Sequence, residues 1–163
     1  GGCVMDLGVH LVDLLLWSLG SPDAQVVCAD LWSEGERLRD GSDRVEDHAL
    51  ATLRLDSGAV ARMACSWRGH AGEEADIRAI FHGRSGALAF GNLNGSFYDF
   101  AAELRWGTQR QTIVSPPDDW GGRAAVEWVR RLAVDNRFDS QAEGFHAVSK
   151  LIDGIYGRGG DGR

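Results

Sequence analysis

Asp6, His10 and Asp13 are the only ionisable side chains in the apolar stretch 4–19. At a helical step of about 100° per residue they fall within about 60° of one another. Carboxylates and an imidazole are costly to bury unless they are paired or hydrogen-bonded. With Leu, Val and Trp on the remaining faces, the stretch is expected to form a helix buried on most sides, its one polar stripe facing a cleft. Such a stripe can supply a general acid/base, a substrate-binding group or a metal ligand. Metal fits least well, because structural zinc sites draw on Cys or on several His. A structural role also stands, with Asp6 an acid favoured in a first helical turn, His10 a satisfied core histidine and Asp13 the group that fixes its tautomer.

The elements that must position these groups follow from periodicity and turn signals. The first helix is expected over about residues 5–19, ending at Gly20 with Pro22 beyond. Residues 24–32 read as a strand and residues 34–44 as an exposed, charged loop. Residues 45–55 and 59–67 alternate around Asp56-Ser57-Gly58, a hairpin signature with Gly58 at the positive-φ position. A second pair, 76–82 and 87–90, flanks Gly83-Arg84-Ser85-Gly86. Weaker strands are expected at 96–100, 103–106 and 111–114. The connections are short, so the fold class is α+β with a large, predominantly antiparallel sheet. Pro116-Pro117 ends the strands. Two helices close the chain, 122–136 and 140–156, the latter opened by a Ser140/Glu143 capping box. Residues 157–163 read as a frayed tail.

The chain has 163 residues, 44% hydrophobic and 25% charged, with a net charge of −7. That suits a single domain, 1–163, and argues against nucleic acid or an anionic membrane as partner. The stretch 4–19 is too short and too charged to cross a bilayer. Cys3, Cys28 and Cys65 form no CxxC pair and read as reduced thiols of a cytoplasmic protein. No GxGxxG opens a βαβ unit, and neither a P-loop nor a GxSxG elbow is present. The only lysine is Lys150, so a lysine-assisted reaction would need a lysine from elsewhere. His48 and His82 read as structural or surface groups, and the six tryptophans as core residues. Trp67, Arg68 and His70 stand where a strand gives way to a Gly-containing loop, a common place for substrate contacts.

The segment Gly1-Gly2-Cys3-Val4-Met5-Asp6-Leu7-Gly8-Val9-His10-Leu11-Val12-Asp13 resembles the GG-x-x-x-D-x-G-x-H-x-x-D signature of the glucose–fructose oxidoreductase/inositol dehydrogenase/MocA (Gfo/Idh/MocA) family. Val45-Glu46-Asp47 with residues 53–66 is similar to that family's hairpin, residues 80–88 to its next strand pair, and residues 138–158 to its closing helix. The resemblance implies the C-terminal half of a two-domain NAD(P)-dependent oxidoreductase acting on a sugar, cyclitol or related polyol, with a Rossmann domain missing from this chain. It implies His10 as acid/base, Asp6 as its partner and Asp13 in support. The NAD or NADP, and a catalytic lysine, would come with the missing half, so no cofactor is expected to bind this chain alone. An imidazole with an ordinary pKa near 6.5 suits the proton of a secondary alcohol. A non-catalytic assembly module and a family-type NAD-dependent glycosidase are the alternatives. Three helices cover about one face of such a sheet. Ala49, Ala51, Leu53 and Leu55 alternate with His48, Leu50, Thr52 and Arg54, so the open face keeps apolar character and a homodimer or tetramer through it is expected.

Overall fold

A computed structural model describes residues 1–20, 23–39 and 42–157. By contacts the chain forms two compact units, residues 1–69 together with 138 onward, and residues 70–137.

In the first unit a π-helical turn, Val4–Gly8, runs into helix α1, Val9–Ser18. Strands β1 (Ala24–Ser33), β2 (Glu36–Arg37), β3 (His48–Leu55) and β4 (Val60–Ser66) pair antiparallel in the order β2-β1-β3-β4. The expected hairpin around Gly58 forms, with Arg54 opposite Val60 and Leu53 opposite Ala61, and β3 pairs on its other side with β1, Leu55 opposite Ala24 and Leu53 opposite Val26. Gly58 takes φ 85°, with nothing near the position a Cβ would fill. The charged loop after β1 is not wholly irregular. Glu34 and Gly35 turn at positive φ and return β2 against Trp32 and Ser33, a geometry that matches strand twist.

Alternation along β3 decides the packing. Ala49, Ala51, Leu53 and Leu55 are buried, whereas Leu50 and Arg54 are exposed. The buried row meets Val4, Val12 and Leu16 from the first helix and Val148, Leu151, Ile152 and Ile155 from the last, α3 (Gly144–Ile155). The first helix is not buried on most sides, as its composition suggested. Only Val4, Gly8, Val12 and Leu16 are enclosed, and Trp17 is 76% exposed. A helix lying on a sheet needs one apolar stripe; Val9, Leu11 and Leu15 flank it half-buried, and Leu7, Trp17 and Leu19 face outward. No tryptophan is buried either; five of the six are exposed and Trp32 is half-buried. The expected capping box at Ser140 is absent too, since a 3₁₀ turn, Ser140–Glu143, leads into α3 with no side-chain cap.

The second unit holds a separate antiparallel sheet rather than an extension of the first. Its strands β5 (Arg78–His82), β6 (Ala87–Asn92), β7 (Phe100–Trp106) and β8 (Gln109–Val114) are paired in sequence order. Residues 96–99 do not form the expected strand. The Ser96 hydroxyl accepts from the Tyr98 and Asp99 amides and donates to the Asp99 carboxylate, closing a turn. Helix α2, Arg123–Val134, falls where expected but carries no buried residue, so α1 and α3 alone cover a sheet among the described residues. Residues 158–163 of the expected tail lie outside the described residues.

Candidate active site

The π turn changes the angular step between Asp6 and Gly8, so the single regular stripe expected from the sequence is interrupted before His10. All three polar groups nonetheless stay on the exposed side of the helix, opposite Val4, Gly8, Val12 and Leu16. Gly8 is enclosed: a Cβ there would stand 3.1 Å from the Met63 side chain and 3.4 Å from the Cys65 sulfur of β4. The absence of a side chain thus lets the turn lie close on the sheet.

Asp6 is fixed by a residue placed far from it in sequence. The Trp67 indole Nε1–H, just beyond β4, donates to Asp6 Oδ2 at 2.9 Å. This draws Trp67 into the site with Asp6. His10 and Asp13 are exposed and make no hydrogen bond among the described residues, to Asp6 or to any other group. Arg68 turns away, its guanidinium 3.5 Å from Asp47 Oδ2 and 3.9 Å from Glu34 Oε1. His70 opens the second unit. His48 packs against Trp32 with ring centroids 5.3 Å apart, a structural role.

Glu46 and Tyr156, distant in sequence, meet at the start of the first helix. Glu46, only 3% exposed, accepts through Oε1 from the Gly2 amide at 3.0 Å, the Val4 amide at 3.1 Å and the Tyr156 hydroxyl at 2.6 Å. Its own carbonyl accepts from the Cys3 amide at 3.1 Å. The leading amides of a helix have no intrahelical partner, and a carboxylate is the natural group to receive them. The sequence signal was an acid just ahead of β3. Because Glu46 already holds this glycine-led helix start, it offers no cradle for a dinucleotide pyrophosphate.

Cys3 and Cys65, 62 residues apart, lie side by side with sulfurs 3.8 Å apart. Burial, then the neighbouring Cys65, pushes the Cys3 thiol well above its usual 9.0; burial also raises Cys65. Tyr156 is raised from 10.0, first by burial and then by its bond to Glu46. All three hold protons in the native state that the unfolded chain releases at high pH. Their contribution is therefore complete below about pH 8.5 and declines as pH rises. The thermal midpoint should fall between pH 8.5 and 11, and less steeply in Cys3→Ala/Cys65→Ala. Equal slopes in calorimetric scans of the two proteins would contradict this.

Comparison with known proteins follows the same lines. Residues 1–89 match the GFO/IDH/MocA C-terminal domain. No curated protein matches the chain. Among solved structures, a 3-ketoreductase from Actinomadura kijaniata, in complex with TDP-benzene and NADP, is similar at 16% identity and a TM-score of 0.72, over 95% of this chain and 46% of that one. A putative oxidoreductase from Erwinia carotovora atroseptica gives 22% and 0.71, over 95% of this chain and 47% of that one. An aldose-aldose oxidoreductase from Caulobacter crescentus, complexed with glycerol, gives 20% and 0.70, over 100% and 47%. The chain spans about half the length of the structures it matches, and these likenesses establish its fold. With more than half of its residues matched, the chain belongs to the GFO/IDH/MocA C-terminal domain family.

Proposed function

We propose that this chain is the substrate-binding and catalytic half of an NAD(P)-dependent oxidoreductase that acts on a secondary alcohol or carbonyl of a sugar, cyclitol or related polyol. The observation that carries this reading is the exposed helix face on which Asp6 is tied to Trp67 while His10 is left open to a ligand. His10 would take the hydroxyl proton in oxidation and return it in reduction. The similarity to an aldose-aldose oxidoreductase supports the substrate class. The hydride acceptor would be held by the remainder of a full-length protein, since the glycine-led start of the first helix is already taken by Glu46. The test is a panel of sugars and cyclitols offered to the full-length protein with NAD or NADP, read by nicotinamide absorbance. Turnover of none of them would reject the reading.

The same proposal sets an expectation for the chain alone. Calorimetric titration with NADH and NADPH should give no saturable heat, because among the described residues no glycine-rich turn at a helix start presents free amides to a pyrophosphate. A micromolar isotherm would show that a cofactor site lies within these residues.

We also propose a homodimer or tetramer through open sheet faces. In the second unit Phe81, Leu88 and Leu104 share one cross-strand row, and Leu88, Leu104 and Trp106 are exposed. In the first, Leu50 stands out between Asp30 and Ala64 on the face opposite the helices. Exposed apolar rows of this kind are characteristic of interfaces, and they are what would favour an assembly module should turnover be absent. Light scattering at micromolar concentration should give a mass at least twice 17.7 kDa. A clean monomer would show that these faces are solvated.

A further inference from the structure

The bonds made by Glu46 converge on one place, the start of the helix that presents Asp6 and His10. Gly2 is the relay. Its amide donates to Glu46 Oε1, while its carbonyl accepts from the Asp6 amide at 3.1 Å. Any shift of Glu46 therefore reaches Asp6 through one residue and one further hydrogen bond.

The next residue holds the other side of the site. The Asp47 carbonyl accepts from the Trp67 amide at 2.9 Å and from the Ser66 hydroxyl at 3.1 Å. Asp6 and Trp67, the two partners of the 2.9 Å bond across the site, are thus both referenced to the dipeptide Glu46-Asp47. Tyr156, just past the end of α3, closes the arrangement by donating its hydroxyl to Glu46 at 2.6 Å.

We propose that Glu46, latched by Tyr156, is the positioning residue of this site and sets where Asp6 and His10 stand relative to Trp67. The inference rests on the reading of that face as the reacting one, and it adds a residue that touches neither substrate nor cofactor. Buried hydrogen-bonded groups of this kind hold a reacting constellation within a fraction of an ångström. A displacement of about 1 Å originating far from the chemistry can cost on the order of 10²-fold in rate.

The test uses the full-length protein and two readouts. One is the NMR signal of the Trp67 indole proton, assigned with Trp67→Phe, which reports the bond to Asp6 whether or not the enzyme turns over. The other is kcat against the cofactor KM. Glu46→Ala should move the indole signal toward that of Asp6→Ala and lower kcat about 10- to 100-fold with the cofactor KM unchanged. Glu46→Gln keeps an acceptor for Gly2 and Val4 and should restore most of both. Tyr156→Phe, which removes one hydroxyl, should shift both in the same direction by less, and it decides the matter if Glu46→Ala does not fold. An indole signal unmoved in folded variants overturns the proposal. A signal that moves while kcat does not supports the positioning and overturns the functional reading on which it rests.

Discussion

His10→Ala should lower the kcat of the full-length enzyme by about 10²–10⁴-fold, the usual worth of one general acid/base. Three features make that loss readable as chemistry rather than misfolding. The imidazole is exposed on the helix face opposite the core row Val4, Val12 and Leu16, so its removal opens no cavity. It makes no hydrogen bond among the described residues, so stability should change little. It also stands one helical turn beyond Asp6, whose carboxylate is pinned by the Trp67 indole. Cofactor affinity should be unaffected, because the side chain would face substrate. Asp6→Asn should cost less, since it preserves size and a hydrogen-bond acceptor for the Trp67 indole while removing charge. Steady-state kinetics across pH provide the measurement. Unchanged turnover in folded His10→Ala would assign the residue to the surface alone.

Gly2→Ala should be the most destabilising of the alanine substitutions at the described glycines, at about 3 kcal/mol or more. A Cβ at residue 2 would stand 2.0 Å from the Glu46 carbonyl oxygen and 2.6 Å from its carboxyl carbon. The obstacle is backbone, so no rotamer change relieves it. Overpacking typically costs about 1–3 kcal/mol, and hydrogen bonds to a charged group contribute about 1.5–3 kcal/mol each. Shifting the helix start endangers the Gly2 and Val4 bonds to Glu46 and the Cys3 bond to its carbonyl. Gly58→Ala provides the contrast. There the site is open and only the left-handed backbone is strained, at about 1–2 kcal/mol. Urea denaturation of both variants separates a requirement for space from one for conformation; a Gly2→Ala loss no larger than that of Gly58→Ala would refute the close approach.

Much of this molecule is legible in its sequence, because it is written in local patterns. Period-two alternation placed β3 and β4, and a glycine between them placed their turn. The apolar run bearing Asp6, His10 and Asp13 marked both the first helix and the candidate site, since charged groups persist in such a run only when something keeps them there. The positions that failed were those where a long-range or local competitor won. The Ser96 hydroxyl closed a turn where a strand was expected. The first helix exposed Trp17 because a sheet covers one stripe of a helix and no more. The division of eight strands into two sheets was likewise not local, since adjacent hairpins look alike in sequence whether or not they join. Tertiary structure alone brought Trp67 to Asp6 across 61 residues and Tyr156 to Glu46 across 110. Residue type and spacing show which groups can do chemistry. Which distant groups orient them depends on how far the chain returns on itself, and that is set by packing of the whole core.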